Sequence, residues 1–318
     1  MKLNLTLKSG AVLFCLLLLS SCSEFIEKDL DDSKVFLTSP GDNHETNKYN
    51  QTFWWEPIDN ASYRLQIASP SFTNIAELLI DTLIKGNNKF SITLDPGEYE
   101  WRVRAENSGT SGLYSTRSLV VHESSIAAQQ IQVKGPGSGY ITNQKNITFN
   151  WYGLFGSEMY RIQIDTNNFS DPAKLVFDSA TPSLSHAVSL TKDQSYQWRI
   201  RAEAGADEVS KWSPIFQFTL DATAPDKVNL SLPSNGQVVN KPVTLQWAGV
   251  EGASKYQLVV YKADGGTNYN SSYPMLLNGT SFSFNEGQFN ETLYWKVRAV
   301  DAAGNYGAFS EVRSFTVQ

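Results

Sequence analysis

The side chains that most often perform catalysis or bind metals are few in this chain, and they are spread along its 318 residues. The three histidines are His44, His122 and His186, and the two cysteines, Cys15 and Cys22, lie near the N-terminus. None of them has the spacing that a zinc site or a Cys–His pair requires. The sequence also lacks a Gly-x-Ser-x-Gly turn and a phosphate-binding glycine loop. We therefore expect no catalytic residue, no metal and no cofactor, and we do not expect an enzyme.

Several aromatic residues are better placed for binding than for chemistry. Trp54 is expected to point away from the core, where an aromatic ring can stack on a sugar or dock a partner. The alternative is that a tether or loop covers it. Tyr261, Tyr269 and Tyr273 belong to a stretch rich in Gly, Asn and Ser around 262–274, the composition of adaptable recognition loops. A solvated loop without a binding role is the alternative for these tyrosines.

Two further kinds of site have weaker signals. Asp81-Thr82-Leu83 and Asp178-Ser179-Ala180 resemble the three-residue O-glycosylation acceptor of exported Bacteroidetes proteins, which implies glycans on Thr82 and Ser179. Three acids near a domain junction also suggest a calcium-binding hypothesis, because Ca²⁺ prefers oxygen ligands. They are Asp221, Asp226 and Asp301.

The N-terminus has the features of an export signal. Residues 1–21 carry a positive start, an apolar run too short to span a membrane, and small residues at the end. The stretch Leu19-Ser20-Ser21-Cys22 resembles a bacterial lipobox, in which the cysteine is acylated and becomes the new N-terminus. The resemblance implies lipidation of Cys22, and the alternative is an ordinary signal with an incidental cysteine. No second cysteine would then remain for a disulfide, so packing must hold the folded part together.

The segment that follows the cysteine is acidic. We predict that residues 22–35 form a tether, and its start is similar to the tethers of Bacteroidetes lipoproteins, where such acids mark export to the outer face. The resemblance implies a protein anchored in the outer membrane and facing the cell exterior. A net charge of −6 also argues against nucleic acid as a partner, because binding phosphates needs clustered Lys and Arg.

Three series of aromatic residues show that the rest of the chain is an internal repeat. One series steps by 96 residues, a second by 97, and a third by 98 and then 97. Their members are Trp55, Trp151 and Trp247; Trp101, Trp198 and Trp295; and Tyr114, Trp212 and Phe309. Three series in one register indicate a threefold repeat. Trp54 lies outside them, since its counterparts are Asn150 and Gln246.

Within each unit, apolar and polar residues alternate with a period of two, which predicts β-strands and an all-β fold. About seven short strands with a core tryptophan describe a β-sandwich. The units resemble fibronectin type III modules: Tyr99 and Tyr196 match the tyrosine of that family's corner, whereas Leu293 replaces it in the third unit. The resemblance implies three tandem immunoglobulin-like sandwiches. We place the modules at 36–122, 130–220 and 226–318.

Arginines recur on one face of the first two units. We expect them to stack on the aromatic residue of the last strand as a cation–π ladder, and binding of an anionic partner is the alternative. The residues are Arg64, Arg102 and Arg104 in unit one, and Arg161, Arg199 and Arg201 in unit two.

The sequence thus favours a non-catalytic, lipid-anchored binding or accessory protein. Proteins that this chain resembles often sit beside outer-membrane nutrient transporters and hold glycan or peptide near the pore. The alternative is a structural spacer or adhesin that makes protein–protein contacts. Neither the ligand nor the partner follows from the residues.

Overall fold

The computed structural model describes residues 29–205 and 208–318. Cys22, most of the predicted tether and the signal segment lie outside the described residues. None of the helices within the described part is long and apolar enough to cross a membrane. The elements are almost entirely β-strands, because period-two alternation runs through each unit.

The described residues contain twenty-five strands, which fall into three consecutive groups. The first group is β1 (Leu37–Ser39), β2 (His44–Thr46), β3 (Asn50–Trp55), β4 (Ser62–Pro70), β5 (Ile75–Ile84), β6 (Lys89–Thr93), β7 (Gly97–Glu106) and β8 (Ser115–Val121). The second is β9 (Val133–Gly135), β10 (Tyr140–Thr142), β11 (Asn146–Trp151), β12 (Met159–Asp165), β13 (Phe177–Thr181), β14 (Ser185–Ser189), β15 (Gln194–Ala204), β16 (Glu208–Val209) and β17 (Phe216–Leu220). The third is β18 (Leu230–Leu232), β19 (Gln237–Val239), β20 (Val243–Trp247), β21 (Ala253–Tyr261), β22 (Met275–Leu277), β23 (Ser281–Phe284), β24 (Thr292–Asp301) and β25 (Arg313–Val317). Two 3₁₀ turns, Ile126–Ala128 and Pro172–Lys174, complete the elements.

Each group forms two facing sheets in the same strand order. The three-stranded sheets are β1-β3-β6, β9-β11-β14 and β18-β20-β23. The larger sheets are β2-β8-β7-β4-β5, β10-β17-β15-β12-β13 with β16 added on β15, and β19-β25-β24-β21-β22. In each larger sheet the pairing of the outermost short strand with the last strand is parallel, whereas the other pairings are antiparallel. The fold is therefore three tandem β-sandwiches, as the sequence predicts.

The aromatic series form the cores, because alternation points every second side chain between the sheets. Trp55, Trp101, Trp151, Trp198 and Trp295 are completely buried, and Trp247 is nearly so. Each module also pairs its first core tryptophan with a tyrosine of the next strand, with ring centroids 5.4–5.8 Å apart. Burial of such rings removes about 150–250 Å² each from water, which is how these modules fold without a disulfide among the described residues.

The tyrosine corner is present in the two modules where the sequence predicts it. The Tyr99 hydroxyl donates to the Asp95 carbonyl at 2.8 Å, and the Tyr196 hydroxyl donates to the Lys192 carbonyl at 2.9 Å. In the third module Leu293 takes this place and is fully buried. The third corner is therefore packed by an apolar side chain instead of being closed by a hydrogen bond.

The first module begins earlier than residue 36. Leu30 and Val35 are buried, the Leu30 amide donates to the Thr110 hydroxyl, and the Leu113 amide donates to the Ser33 carbonyl. The described end of the predicted tether thus belongs to the sandwich. The acidic composition of 22–35 hid this, because two apolar residues in an acidic stretch leave no period to detect.

Candidate contact surfaces and module junctions

Trp54 lies on the outward face of the three-stranded sheet of the first module, as alternation predicts. It pairs with Lys89 of β6, and the Lys89 ammonium sits 4.3 Å from the centroid of its ring. Trp54 is 40% exposed and Phe36 is 63% exposed. Because Leu37 is buried and pairs with the buried Trp55, alternation places Phe36 on the same side as Trp54. We call Phe36, Trp54 and Lys89 the outer aromatic face. The described start of the chain, residues 30–35, instead contacts residues 110–115 on the other sheet.

The tyrosines of the third module do not form a free recognition loop, which corrects the sequence-based hypothesis. Tyr273 is only 4% exposed, and burial, followed by the charge of Glu286, raises its pKa. Tyr269 is half-buried, packs edge-on against Phe284 at 5.3 Å, and its hydroxyl accepts the Gly287 amide. Composition alone misled here, since it does not show that a polar loop folds back onto its own sandwich.

Tyr261 has a different role, at the end of a cation–π stack. Lys296 lies 5.3 Å from its ring and 4.2 Å from that of Phe309, and Arg298 lies 4.5 Å from Phe309 and 4.2 Å from Tyr306. Cations and rings thus alternate along the outside of the sheet. This arrangement fixes Tyr261 as part of the module's own packing.

The predicted ladders are present in the first two modules, each with one ring that the sequence did not reveal. Arg102 lies between Tyr114 at 4.2 Å and Phe72 at 3.9 Å. Arg199 lies in the same way between Trp212 at 4.2 Å and Phe169 at 4.1 Å. The extra rings come from turns that have no common sequence pattern. The arginines are occupied by these contacts, which favours the structural reading over binding of an anion.

A charge network extends each ladder. Arg64 contacts Asp81 at 3.3 Å and Glu106 at 3.4 Å, and Arg104 contacts Glu106 at 2.8 Å. The second module repeats it with Arg161, Arg201, Asp178 and Glu203. The recurrence of Asp81 and Asp178 is thereby explained without glycosylation.

Because carboxylates take part in these networks, we predict that the stability of the modules depends on pH. Partial burial acts to raise the pKa of Glu203, but hydrogen bonds from Arg161 and Arg201 and their charges outweigh it, so the pKa stays below its ordinary value. The resulting contribution is present above the unfolded-state pKa, near 4.3, and is lost as the pH falls through the folded-state pKa. We expect the free energy of unfolding of Glu203→Gln, measured by urea denaturation, to fall less steeply than that of the wild type between about pH 5 and 3. Glu158→Gln, which changes an exposed acid, is the control. If the two variants showed the same dependence of the free energy of unfolding on pH, the prediction would be contradicted.

The predicted glycosylation residues lie on sheet edges. Thr82 is in β5 and Ser179 is in β13, the edge strands of the larger sheets of the first two modules, and both are partly buried. Glycosylation of Thr82 and Ser179 remains a prediction.

The first two modules share a packed junction that the sequence did not predict. Tyr49, fully buried, donates its amide to the Gln129 side chain at 3.0 Å, and its hydroxyl donates to the Ser124 carbonyl at 2.9 Å. The Gln129 amide group donates to the Asn47 carbonyl at 2.7 Å, and the Gln129 carbonyl accepts the Lys211 amide at 2.9 Å. The buried residues of both modules form one cluster. The segment between the two modules, residues 122–130, thus contributes Ile126 and Gln129 to the interior of the junction, while most of its other residues stay exposed.

The second junction is thinner. The third module has a separate buried cluster, and the Asn305 side chain donates to the Asp221 carbonyl at 2.7 Å. Asp301, proposed as a calcium ligand, instead accepts the Asn305 amide and its side chain. Within 29–205 and 208–318, no group of three or more His, Cys, Asp or Glu residues is arranged to hold a metal.

The strand order of all three units and the tyrosine corners of the first two define the chain as a tandem array of fibronectin type III-like β-sandwiches. No protein-family model and no curated protein matches the chain. Among solved structures it is similar to the FN1–FN3 domains of chicken CNTN1, at 16% identity over 91% of this chain and 99% of that one, with a TM-score of 0.41. It is also similar to the fibronectin(III)-like modules of Clostridium thermocellum CbhA, at 12% identity over 59% and 92%, with a TM-score of 0.37. The assignment of the fold follows from the chain's own topology.

Proposed function

We propose that this protein is a non-catalytic surface lipoprotein, anchored in the outer membrane through Cys22, that docks another membrane protein through the outer aromatic face. It would serve as an accessory to a nutrient transporter and assist capture of glycan or peptide. The open position of Trp54 in the first module is the observation that carries the proposal.

The position of that module along the chain supports a partner in the membrane. Leu30, the first buried residue described, follows Cys22 by eight residues. At about 3.6 Å per residue, the first module stays within about 30 Å of the anchor. A face held so near the lipid meets other membrane proteins more readily than it meets distant surfaces.

The chemistry of the face also suits a protein partner. Tryptophan is one of the residue types enriched at the energetic centre of protein interfaces. Trp54 is 40% exposed although Lys89 lies over its ring. Docking would bury the remaining apolar area at about 25 cal/mol per Å².

A spacer or adhesin is the second candidate, and the packed first junction favours it. Two modules fixed to each other would hold the end of the pair that is farther from Cys22 at a set distance from the membrane. An adhesin, however, would need contacts at the third module, where Tyr269 and Tyr273 are engaged internally.

The test is recovery of partners from native membranes in mild detergent, with tagged wild-type protein and Trp54→Ala. We expect a transporter to co-purify with the wild type and to be lost with Trp54→Ala. Gln246→Ala, at the matching position of the third module, is the control and should retain the partner. Retention by Trp54→Ala would refute the role of the outer aromatic face, and recovery of no membrane partner by wild type would favour the adhesin.

A further inference from the structure

The first module has an open sheet edge unlike those of the other two. β5 is the edge strand of its larger sheet and is ten residues long, whereas the matching edge strands β13 and β22 have five and three. Ile75 is 51% exposed and Leu78 is 46% exposed. β5 contains neither Lys nor Pro, two residues that commonly protect such an edge, although it carries Glu77 and Asp81 and its pairing with β4 is irregular at two points. It is therefore a template on which another strand can pair.

A groove lies beside the N-terminal half of this strand, between the first two modules. Its volume is about 540 Å³, within the range of binding sites. Glu77, Leu79 and Asp95 line it from the first module, and Tyr152 and Phe155 line it from the second. Because Tyr49 and Gln129 fix the two modules to each other, the groove has a set shape.

The groove is acidic, and its acids are unpaired. Among the described residues, the side-chain carboxylates of Glu77 and Asp95 make no hydrogen bond or ion pair, and no Lys or Arg lines the groove. Their negative charges also act on Tyr99, a residue that lines the groove. Burial is the largest cause, and together with the charges of Asp95 and Glu77 it raises the pKa of Tyr99 to about 12. The Lys134 ammonium already lies 4.3 Å from the centroid of the Tyr152 ring. The two unpaired carboxylates are nevertheless complementary to a further Lys or Arg side chain.

We propose that β5 and this groove together bind an extended, basic segment of a partner protein. The segment adds to the free edge of β5 through main-chain hydrogen bonds, and one of its Lys or Arg side chains enters the groove between Glu77 and Asp95. In this mode of recognition, the main chain supplies affinity and the side-chain pocket supplies specificity. The site is separate from the outer aromatic face, which lies on the other sheet.

The rest of the chain offers an internal comparison. The groove at the second junction, of about 330 Å³, is also acidic, but no aromatic residue lines it and the edge strand β13 is half as long. The basic-segment site is therefore specific to the first junction.

The probe is an end-capped, fluorescent seven-residue peptide in which Thr and Val alternate around a central Lys, titrated into the full-length protein in detergent. We expect the double variant Glu77→Gln/Asp95→Asn to raise the Kd about tenfold or more, and added salt to weaken wild-type binding in the same way. Glu98→Gln, which changes an exposed acid outside the groove, and Trp54→Ala should leave the Kd unchanged. A peptide with Glu in place of Lys that bound equally well would overturn the proposal.

Two further measurements test pairing at the edge. A peptide N-methylated at alternate residues cannot donate main-chain hydrogen bonds along one edge, so one of its two registers should fail to bind. Equal binding of both registers would show that β5 is not the template. Sedimentation should find a monomer, and a dimer abolished by Leu78→Lys would instead make a second copy of this chain the occupant and overturn the proposal.

Discussion

Replacing Tyr49 with Ala is expected to split the thermal unfolding of the first two modules into separate transitions. Tyr49 is fully buried, packs edge-on against Phe155 with ring centroids 6.2 Å apart, and bonds to Ser124 and Gln129. Removal of a buried aromatic side chain costs about 3–5 kcal/mol. Here part of that loss falls on the junction itself, so calorimetry should show one shared transition in the wild type and two in the variant.

The second junction provides the control for this prediction. Lys145 occupies the position 96 residues after Tyr49, and both carbonyls accept the amide of an equivalent leucine, Leu94 or Leu190. Lys145→Ala should therefore leave the number of transitions unchanged. If Tyr49→Ala kept a single transition at a lower temperature, the two modules would be coupled by contacts other than those of Tyr49.

Trp198→Ala is expected to lower the free energy of unfolding of the second module by about 3–5 kcal/mol in urea denaturation. The ring is fully buried and lies 4.8 Å from Phe149 and 5.6 Å from Phe216. Its indole N–H also donates to the Pro136 carbonyl at 3.1 Å. Among the six core tryptophans, the other five bury an indole N–H without a partner.

This difference gives a finer test. Trp198→Phe should be more destabilising than Trp101→Phe by about 1–2 kcal/mol, since the first loses a hydrogen bond and the second removes an unsatisfied donor. Equal losses would show that the bond to Pro136 contributes nothing to stability.

The sequence predicted the repeated core and its exceptions well, because these depend on local alternation and on spacing. Trp101 and Trp198 are buried where their series indicates, and the third corner is lost at Leu293. The ladders were also predictable, since Arg102 and Arg199 must share a face with the ring of the last strand. Phe72 and Phe169 were not, because each approaches from a turn whose conformation depends on the finished sheet.

What the sequence did not reveal lies between elements that are distant along the chain. Tyr49 and Gln129 are 80 residues apart, and no local pattern shows that the Gln129 side chain becomes buried between the modules. The groove between Glu77 and Tyr152 exists only after that packing. The hypothesis that Tyr273 is a contact residue was wrong for a related reason. Composition identified a loop but did not show which surface the loop covers.

The unequal junctions have a mechanical consequence. The first two modules share a buried cluster, while the third has its own and joins them through residues 221–226. A sideways load on the third module would therefore bend the chain at that short segment before it separated the first pair. If Cys22 holds the other end in a membrane, the first two modules would move as one rigid body. The orientation of the third module would then vary independently of them.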